Sequence, residues 1–269
     1  MRADQLLVER GLAASRSQAV RLIAGGLRWR EPGADAPWRS VAKNRDDVPD
    51  AAELELVDAA EARYVSRGGL KLEGALRIAG IDFGGKHCLD VGQSTGGFTD
   101  CLLQHGAGQV VGIDVGHGQL HARLAADARV MALERINARS LQSFQWPRLL
   151  IGTKAAAESR ALDARPVGPI FDVIVADLSF ISLTLVLPAL VPLLAIGGDM
   201  LMLVKPQFEL QPGQIGKGGV VRDPALYGVV EDRLRQACAD LGLVVHRWFE
   251  SPIAGGDGNR EFFIHATMR

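Results

Sequence analysis

The spacing of apolar positions divides the chain into two regimes. In the first, Leu6, Leu7 and Val8 followed by Gly11 predict a short helix, and Ser15 with Gln18 three residues later forms a capping box that opens a second. Ala19, Leu22 and Ile23 make its apolar face and Gly25-Gly26 end it, so Arg16, Gln18 and Arg21 are expected to point outward, with Arg28 and Arg30 on a strand-like continuation. Asp46 to Ala62 is acidic and Ala-rich, has one strand candidate at Leu54–Val57, and is expected to close this head and serve as a linker. From residue 63 onward, short apolar runs alternate with amphipathic stretches: His87–Val91, Gln109–Asp114, Arg129–Leu133, Phe171–Asp177, Met200–Lys205, Leu243–Phe249 and Glu261–Ala266. Strands at this spacing predict an α/β fold built on a doubly wound, mostly parallel sheet. A long Arg/Ala/Pro-containing insertion at 141–169 breaks the rhythm.

Composition narrows the class. With 48% hydrophobic and 23% charged residues, 269 positions can bury one sizeable core and a small extra domain. Cys88, Cys101 and Cys238 are scattered, which predicts neither a disulfide framework nor a zinc site and suits a reducing cytoplasm. The longest apolar stretch, Leu183 to Ile196, is interrupted by Pro188 and Pro192 and is shorter than the ~20 residues of a spanning helix. The N-terminus has acidic residues where a signal peptide needs an apolar core, so no membrane association is expected. The net charge of −1 hides an asymmetry, because the first 45 residues hold nine basic side chains and four acidic ones. A basic head on an acidic body suits a chain with one end on a polyanion.

Asp4 through Leu27 run D-x-L-L-V-E-x-G-L and then S-R-x-x-A-x-x-L-I-x-x-G-L. This resembles the RNA-binding domain named after small-subunit ribosomal protein four. The resemblance implies an α+β RNA-gripping head, with Arg16, Gln18, Arg21 and Arg28 as RNA contacts. That family's V-x-V-N-G turn is replaced here by Trp29-Arg30-Glu31-Pro32-Gly33 and an Ala/Pro-rich loop to Trp38.

Leu89-Asp90-Val91-Gly92-Gln93-Ser94-Thr95-Gly96-Gly97-Phe98 follows an apolar strand and precedes a helical segment, so its glycines fall on a strand-to-helix turn where backbone and ligand can approach closely. Asp114 ends the next strand, about the ~20 residues downstream expected of a carboxylate that reaches ribose hydroxyls. Spacing alone fits a dinucleotide or S-adenosylmethionine. Asp90 inside the strand end and the lack of a full G-x-G-x-x-G favour the latter. Gly92 to Gly96 also matches the G-x-S-x-G elbow of hydrolases, for which Asp177 with His246 or His265 would complete a triad. That reading leaves Asp114 and the later lysines without a role.

Asp177 ends one predicted strand and Lys205 another, Lys71 precedes the first strand of the body, and Glu261 opens the last. An open α/β sheet places its site at such ends. Taken singly, each is a solvated terminus; four at one crevice could place a ribose hydroxyl and remove its proton. The blocks SRGGLKL, LDVGQSTGGFTD, GIDVGHGQL, ADLSFISL, LVKPQFE, GGVVRD and GNREF resemble those of the TlyA family, also named haemolysin A, among the FtsJ-like ribose methyltransferases.

The resemblance implies a Rossmann-like class I methyltransferase fold with seven strands and a Lys-Asp-Lys-Glu tetrad at Lys71, Asp177, Lys205 and Glu261, with Lys205 as base. It also implies S-adenosylmethionine contacts at Asp90, Gly92, Ser94, Gly96, Phe98, Asp114 and Asn137, no metal, and an RNA contact at Arg67. The expected organisation is an RNA-binding domain at 1–60, a linker at 61–66 and a methyltransferase domain at 67–269. Its substrate would be a cytidine 2′-hydroxyl of ribosomal RNA, the large-subunit RNA first because the chain resembles the short form of the family. A non-catalytic RNA-binding factor and a membrane-active haemolysin are the competing classes; the filled tetrad opposes the first, and the absence of a spanning segment or a convincing basic amphipathic helix opposes the second.

Overall fold

The structure is a computed structural model that describes residues 1–13, 15–33, 36–57, 63–143, 171–216, 218–255 and 258–269. The chain forms two compact units, Met1–Leu70 and Lys71–Arg269.

In the first unit, helix α1 (Ala3–Glu9) buries Leu6 and Leu7. Helix α2 (Arg16–Ala24) starts where Ser15, in extended backbone, accepts the amide of Gln18 at 3.2 Å. Its buried face is Ala19, Leu22 and Ile23, joined by Gln18. The expectation that Gln18 points outward is corrected: it lies one turn before Leu22 on the same face, and its amide donates to the Tyr64 carbonyl at 3.3 Å. Gly26, at φ 109°, turns the chain into β1 (Leu27–Arg30). That strand is central in an antiparallel sheet with β2 (Arg39–Val41) and β3 (Glu53–Leu56). Where the sequence departs from the ribosomal-protein-four pattern, two cation–π stacks form, Arg30 over Trp38 at 4.6 Å and Arg39 over Trp29 at 5.1 Å.

The second unit contains the body sheet. Strands β4 (His87–Val91), β5 (Gln109–Asp114), β6 (Val130–Glu134), β7 (Phe171–Asp177), β8 (Leu194–Val204), β9 (Leu243–Glu250) and β10 (Phe262–Met268) lie in the order β6-β5-β4-β7-β8-β10-β9. The first five are mutually parallel, and β10 runs antiparallel to both β8 and β9. Because strand order reverses between β4 and β7, the carboxyl ends of these two strands diverge into a crevice, the usual ligand position in such sheets. β4 and β7 are almost wholly buried, as a strand covered on both faces must be.

The seven strands lie where periodicity predicts them, with one difference. β8 starts at Leu194 instead of Met200, because its register to β7 shifts between Phe171↔Leu194 and Val173↔Asp199. The irregularity takes up Gly197, at φ 74°, so the Gly197-Gly198 pair lies as a bulge inside the strand. The expected insertion lies outside the described residues from 144 onward. Among the described residues no helix is long and apolar enough to cross a membrane, and no cluster of three metal-ligating side chains occurs.

Candidate active site

The loop after β4 is built on three unusual backbone conformations. Gly92, at φ 86°, lies so close to β7 that an added Cβ would stand 2.5 Å from the Asp177 carbonyl oxygen. Its amide and that of Gln93 both donate to the Ile113 carbonyl, at 2.9 and 3.1 Å. Ser94 has φ 49°, rare for a residue with a side chain, and its amide donates to the Asp114 carboxylate at 2.8 Å. Gly96, at φ 95°, precedes helix α4 (Gly97–Gln104), and a Cβ there would meet Leu124 at 2.3 Å. Beneath the loop, Asp90 is fully buried and accepts from Thr99 Oγ1 at 2.7 Å, while Gln93 Nε2 donates to the same hydroxyl at 2.9 Å. Burial pushes the Asp90 carboxyl up to about 7, against the Thr99 hydrogen bond.

These residues edge a cleft of about 360 Å³ lined by Gly92, Ser94, Asp114, Gln119, Asp177 and Phe180, with Ile113, Val115, Ile136 and Leu178 as its apolar wall. Positive-φ glycines, an acceptor carboxylate and a mostly apolar wall suit the amino acid, ribose and adenine parts of S-adenosylmethionine. Of the seven predicted contacts, Gly92, Ser94 and Asp114 line this cleft, while Asp90 is buried beneath the loop, Gly96 packs against Leu124, and the other two lie elsewhere. Phe98 is a core residue, its ring 6.4 Å from that of Phe263. Asn137 accepts from the Arg139 amide at 3.0 Å and lines a neighbouring cleft.

Register brings three tetrad residues to one edge of the sheet. Asp177 pairs with Leu203 and Phe262 pairs with Val204, so Lys205, just after β8, and Glu261, just before β10, stand at the end where β7 finishes. The fourth, Lys71, is carried by helix α3 (Arg67–Ala79). The four form two ion pairs, Lys205 Nζ to Asp177 Oδ1 at 2.6 Å and Lys71 Nζ to Glu261 Oε2 at 2.5 Å. Lys205 also donates to Ser179 Oγ at 2.9 Å. The Lys71–Glu261 pair is the more deeply buried, with side chains 10% and 4% exposed. Buried Asn259 accepts from the Val221 amide at 2.9 Å and donates to the Gly219 carbonyl at 3.0 Å, tying the GGVVRD block to the turn before Glu261.

Sequence reasoning missed Ser179, Asn259 and Glu209. Buried Glu209 accepts from Ser182 Oγ at 2.5 Å and from the Leu183 amide at 2.7 Å, joining the turn after β8 to the loop after β7. Only Ser179 had a signal, a hydroxyl two residues past a strand-end Asp. The hydrolase reading has no geometry behind it. Ser94 Oγ donates to Gln119 at 3.2 Å, His265 contacts Asp199, and His246 contacts Thr267, a residue whose register places it at the opposite end of β8.

Of the predicted RNA contacts, Arg28 is exposed on β1 and Arg67 is half-buried at the start of α3. Arg21 donates to the Ser17 carbonyl at 3.1 Å. Arg16 is exposed but donates to Asp4, whose buried carboxylate it shares with Arg2. Those two guanidinium groups hold the Asp4 carboxyl below its ordinary range although burial opposes them.

The family model described as FtsJ-like methyltransferase matches residues 64–268. The chain belongs to the FtsJ-like methyltransferase family. Within it, the chain is 43% identical over 263 residues to the 16S/23S rRNA (cytidine-2′-O)-methyltransferase TlyA of Mycobacterium tuberculosis, covering 98% of this chain and 88% of that protein. Hemolysin A of Brachyspira hyodysenteriae is 35% identical over 98% of this chain and 99% of its own length. A solved structure from Streptococcus thermophilus that carries a provisional hemolysin name superposes with a TM-score of 0.70 at 36% identity, covering 100% of this chain and 88% of that one. The chain is thus similar to proteins bearing both kinds of name.

Proposed function

We propose that this FtsJ-like methyltransferase transfers a methyl group from S-adenosylmethionine to the 2′-hydroxyl of a cytidine in ribosomal RNA, with large-subunit RNA as the first candidate. The observation that carries the reading is the placement of Lys205: its ammonium group, bonded to Asp177 and Ser179, stands where β8 ends, and Asp177 also lines the cleft of Gly92, Ser94 and Asp114. The cofactor supplies an electrophilic methyl carbon, and Gly92, Ser94, Gly96 and Asp114 would hold it. The chain's own task is to place and deprotonate the ribose hydroxyl.

Lys205 takes that proton at Nζ, and Asp177 stabilises the ammonium that results. A base must start neutral, so the pair has to give up a proton before turnover; a second positive charge brought into the cleft favours that step. Lys71 and Glu261 form the buried pair beside the end of β8 and fix where the ribose or its phosphate can lie. Residues 1–60 serve as the RNA-binding domain and 61–66 as its linker, with 67–269 carrying the chemistry in the cytoplasm. Arg21 and Arg28 are the head residues best disposed to meet phosphate.

The test is tritium transfer from labelled S-adenosylmethionine to ribosomal subunits. Lys205→Ala should abolish incorporation while cofactor affinity is retained. Equal incorporation by wild type and variant rejects the assignment.

A further inference from the structure

Lys205 has to do more than give up a proton before turnover. As a neutral amine it has one lone pair, which removes the ribose proton only when it points at the 2′-hydroxyl. Among the described residues two groups touch its Nζ, Asp177 Oδ1 at 2.6 Å and Ser179 Oγ at 2.9 Å. They act differently. The buried Asp177 Oδ1 accepts no aligned hydrogen bond, so its contact is an ion pair whose attraction depends on distance and leaves the rotation of Nζ open. The contact with Ser179 is a directed hydrogen bond, and it is the one that fixes how Nζ is turned. An amine that donates one N–H to Ser179 and turns the other toward Asp177 has its lone pair left facing away from both.

The Ser179 hydroxyl is itself held in place. The loop after β7 leaves Ser179 through Phe180, at φ 65°, a strained backbone for a bulky residue that persists only when its surroundings fix it. Glu209 fixes the far end: its buried carboxylate accepts from Ser182 Oγ at 2.5 Å and from the Leu183 amide at 2.7 Å. Glu209 closes the helical turn Pro206–Glu209, which begins directly after Lys205, and the Phe208 amide donates to the Lys205 carbonyl at 2.9 Å. One short turn thus carries the base at its start and, at its end, the clamp for the loop that bears Ser179.

We propose that Ser179 is a positioning residue for methyl transfer: its hydroxyl sets the rotation of the Lys205 amine so that the lone pair faces the ribose hydroxyl, and Glu209 keeps Ser179 within reach. The proton then passes from the 2′-oxygen to Nζ, which becomes an ammonium. The inference rests on Lys205 being the base. Ser179 also lines the cofactor cleft, so the rival role is a cofactor contact, which the experiment separates.

The experiment is single-turnover tritium transfer to ribosomal subunits, with the full chain in excess and S-adenosylmethionine saturating, beside affinities for cofactor and subunit. Ser179→Ala should slow transfer roughly 10–100-fold with both affinities within about twofold of wild type, and Ser179→Thr, which restores a hydroxyl, should recover most of the rate. Ser179 is exposed, so both variants should melt with wild type. Glu209→Ala should also slow transfer, whereas Glu209→Gln keeps an acceptor for the Leu183 amide and should not. Ser179→Ala combined with Glu209→Ala should be no slower than the slower single variant, since both act on one bond. A wild-type rate in Ser179→Ala, a loss confined to cofactor affinity, or equal losses in Ser179→Ala and Ser179→Thr overturns the proposal; losses that multiply in the double variant remove Glu209 from it. Failure of the base assignment reads differently: Lys205→Ala would retain transfer, whereas an inactive Lys205→Ala beside a fully active Ser179→Ala rejects the positioning role alone.

Discussion

Separating the buried pair Lys71–Glu261 should cost far more than replacing it whole. Both side chains are nearly inaccessible, and they meet at 2.5 Å. Lys71→Met leaves the Glu261 carboxylate without its cation in a site that water scarcely reaches, and breaking such a pair costs about 3–5 kcal/mol. In a unit of this size each kcal/mol moves the melting temperature by roughly 2–4 °C, so Lys71→Met should melt about 6–20 °C lower. Lys71→Met with Glu261→Leu removes both charges and keeps much of the volume, which in comparable sites is neutral or stabilising. The double variant should therefore recover most of the loss while remaining inactive, since both residues belong to the proposed site. Thermal and denaturant unfolding of wild type, both singles and the double closes the cycle. If Lys71→Met melted within 1–2 °C of wild type, or the double fell as far as the sum of the singles, the pair would not be the electrostatically closed unit its burial implies.

Burial pushes the Asp90 carboxyl up to about 7, so between about pH 4 and pH 7 the unfolded chain releases a proton that the native chain keeps, and stability should fall as pH rises through that window. Asp90→Asn keeps the acceptor for Thr99 and should flatten that slope when unfolding is compared at pH 5 and pH 8; an unchanged slope refutes the burial argument. Gly92→Ala adds a Cβ 2.5 Å from the Asp177 carbonyl oxygen in left-handed backbone, so methyl transfer should drop about a hundredfold with a stability loss of about 2–4 kcal/mol, and wild-type turnover would contradict it. In the head, Arg16→Glu should lower the melting temperature because Asp4 loses a partner, whereas Arg21→Glu or Arg28→Glu should weaken RNA binding and flatten its salt dependence without that loss. Filter binding at two salt concentrations, beside thermal melts, separates the two effects.

Local rules were enough for the elements and for the cofactor loop. The Ser15 cap, the apolar face of α2 and seven apolar runs of strand length are nearest-neighbour facts, and a glycine-rich strand-to-helix turn followed by a strand-end Asp is legible without any contact. The same locality explains the errors. Gln18 adjoins the apolar face yet is polar, so only the packed head shows it turned inward to Tyr64. The strand run legible before Lys205 begins at Met200, and only pairing with β7 extends β8 back through Gly197-Gly198 to Leu194. The tetrad was nameable as four residues through family resemblance, but its division into two ion pairs depends on the register of β8 against β7 and β10 and on α3 carrying Lys71 to Glu261, 190 residues away in the chain. Phe180 had no sequence signal, since an aromatic after Leu178-Ser179 reads as core; its exposure follows from a left-handed backbone angle and from Glu209 holding the next segment in place. Periodicity records which faces a segment prefers to bury. Which distant charges face one another, and which rings are left in water, is decided when those faces meet.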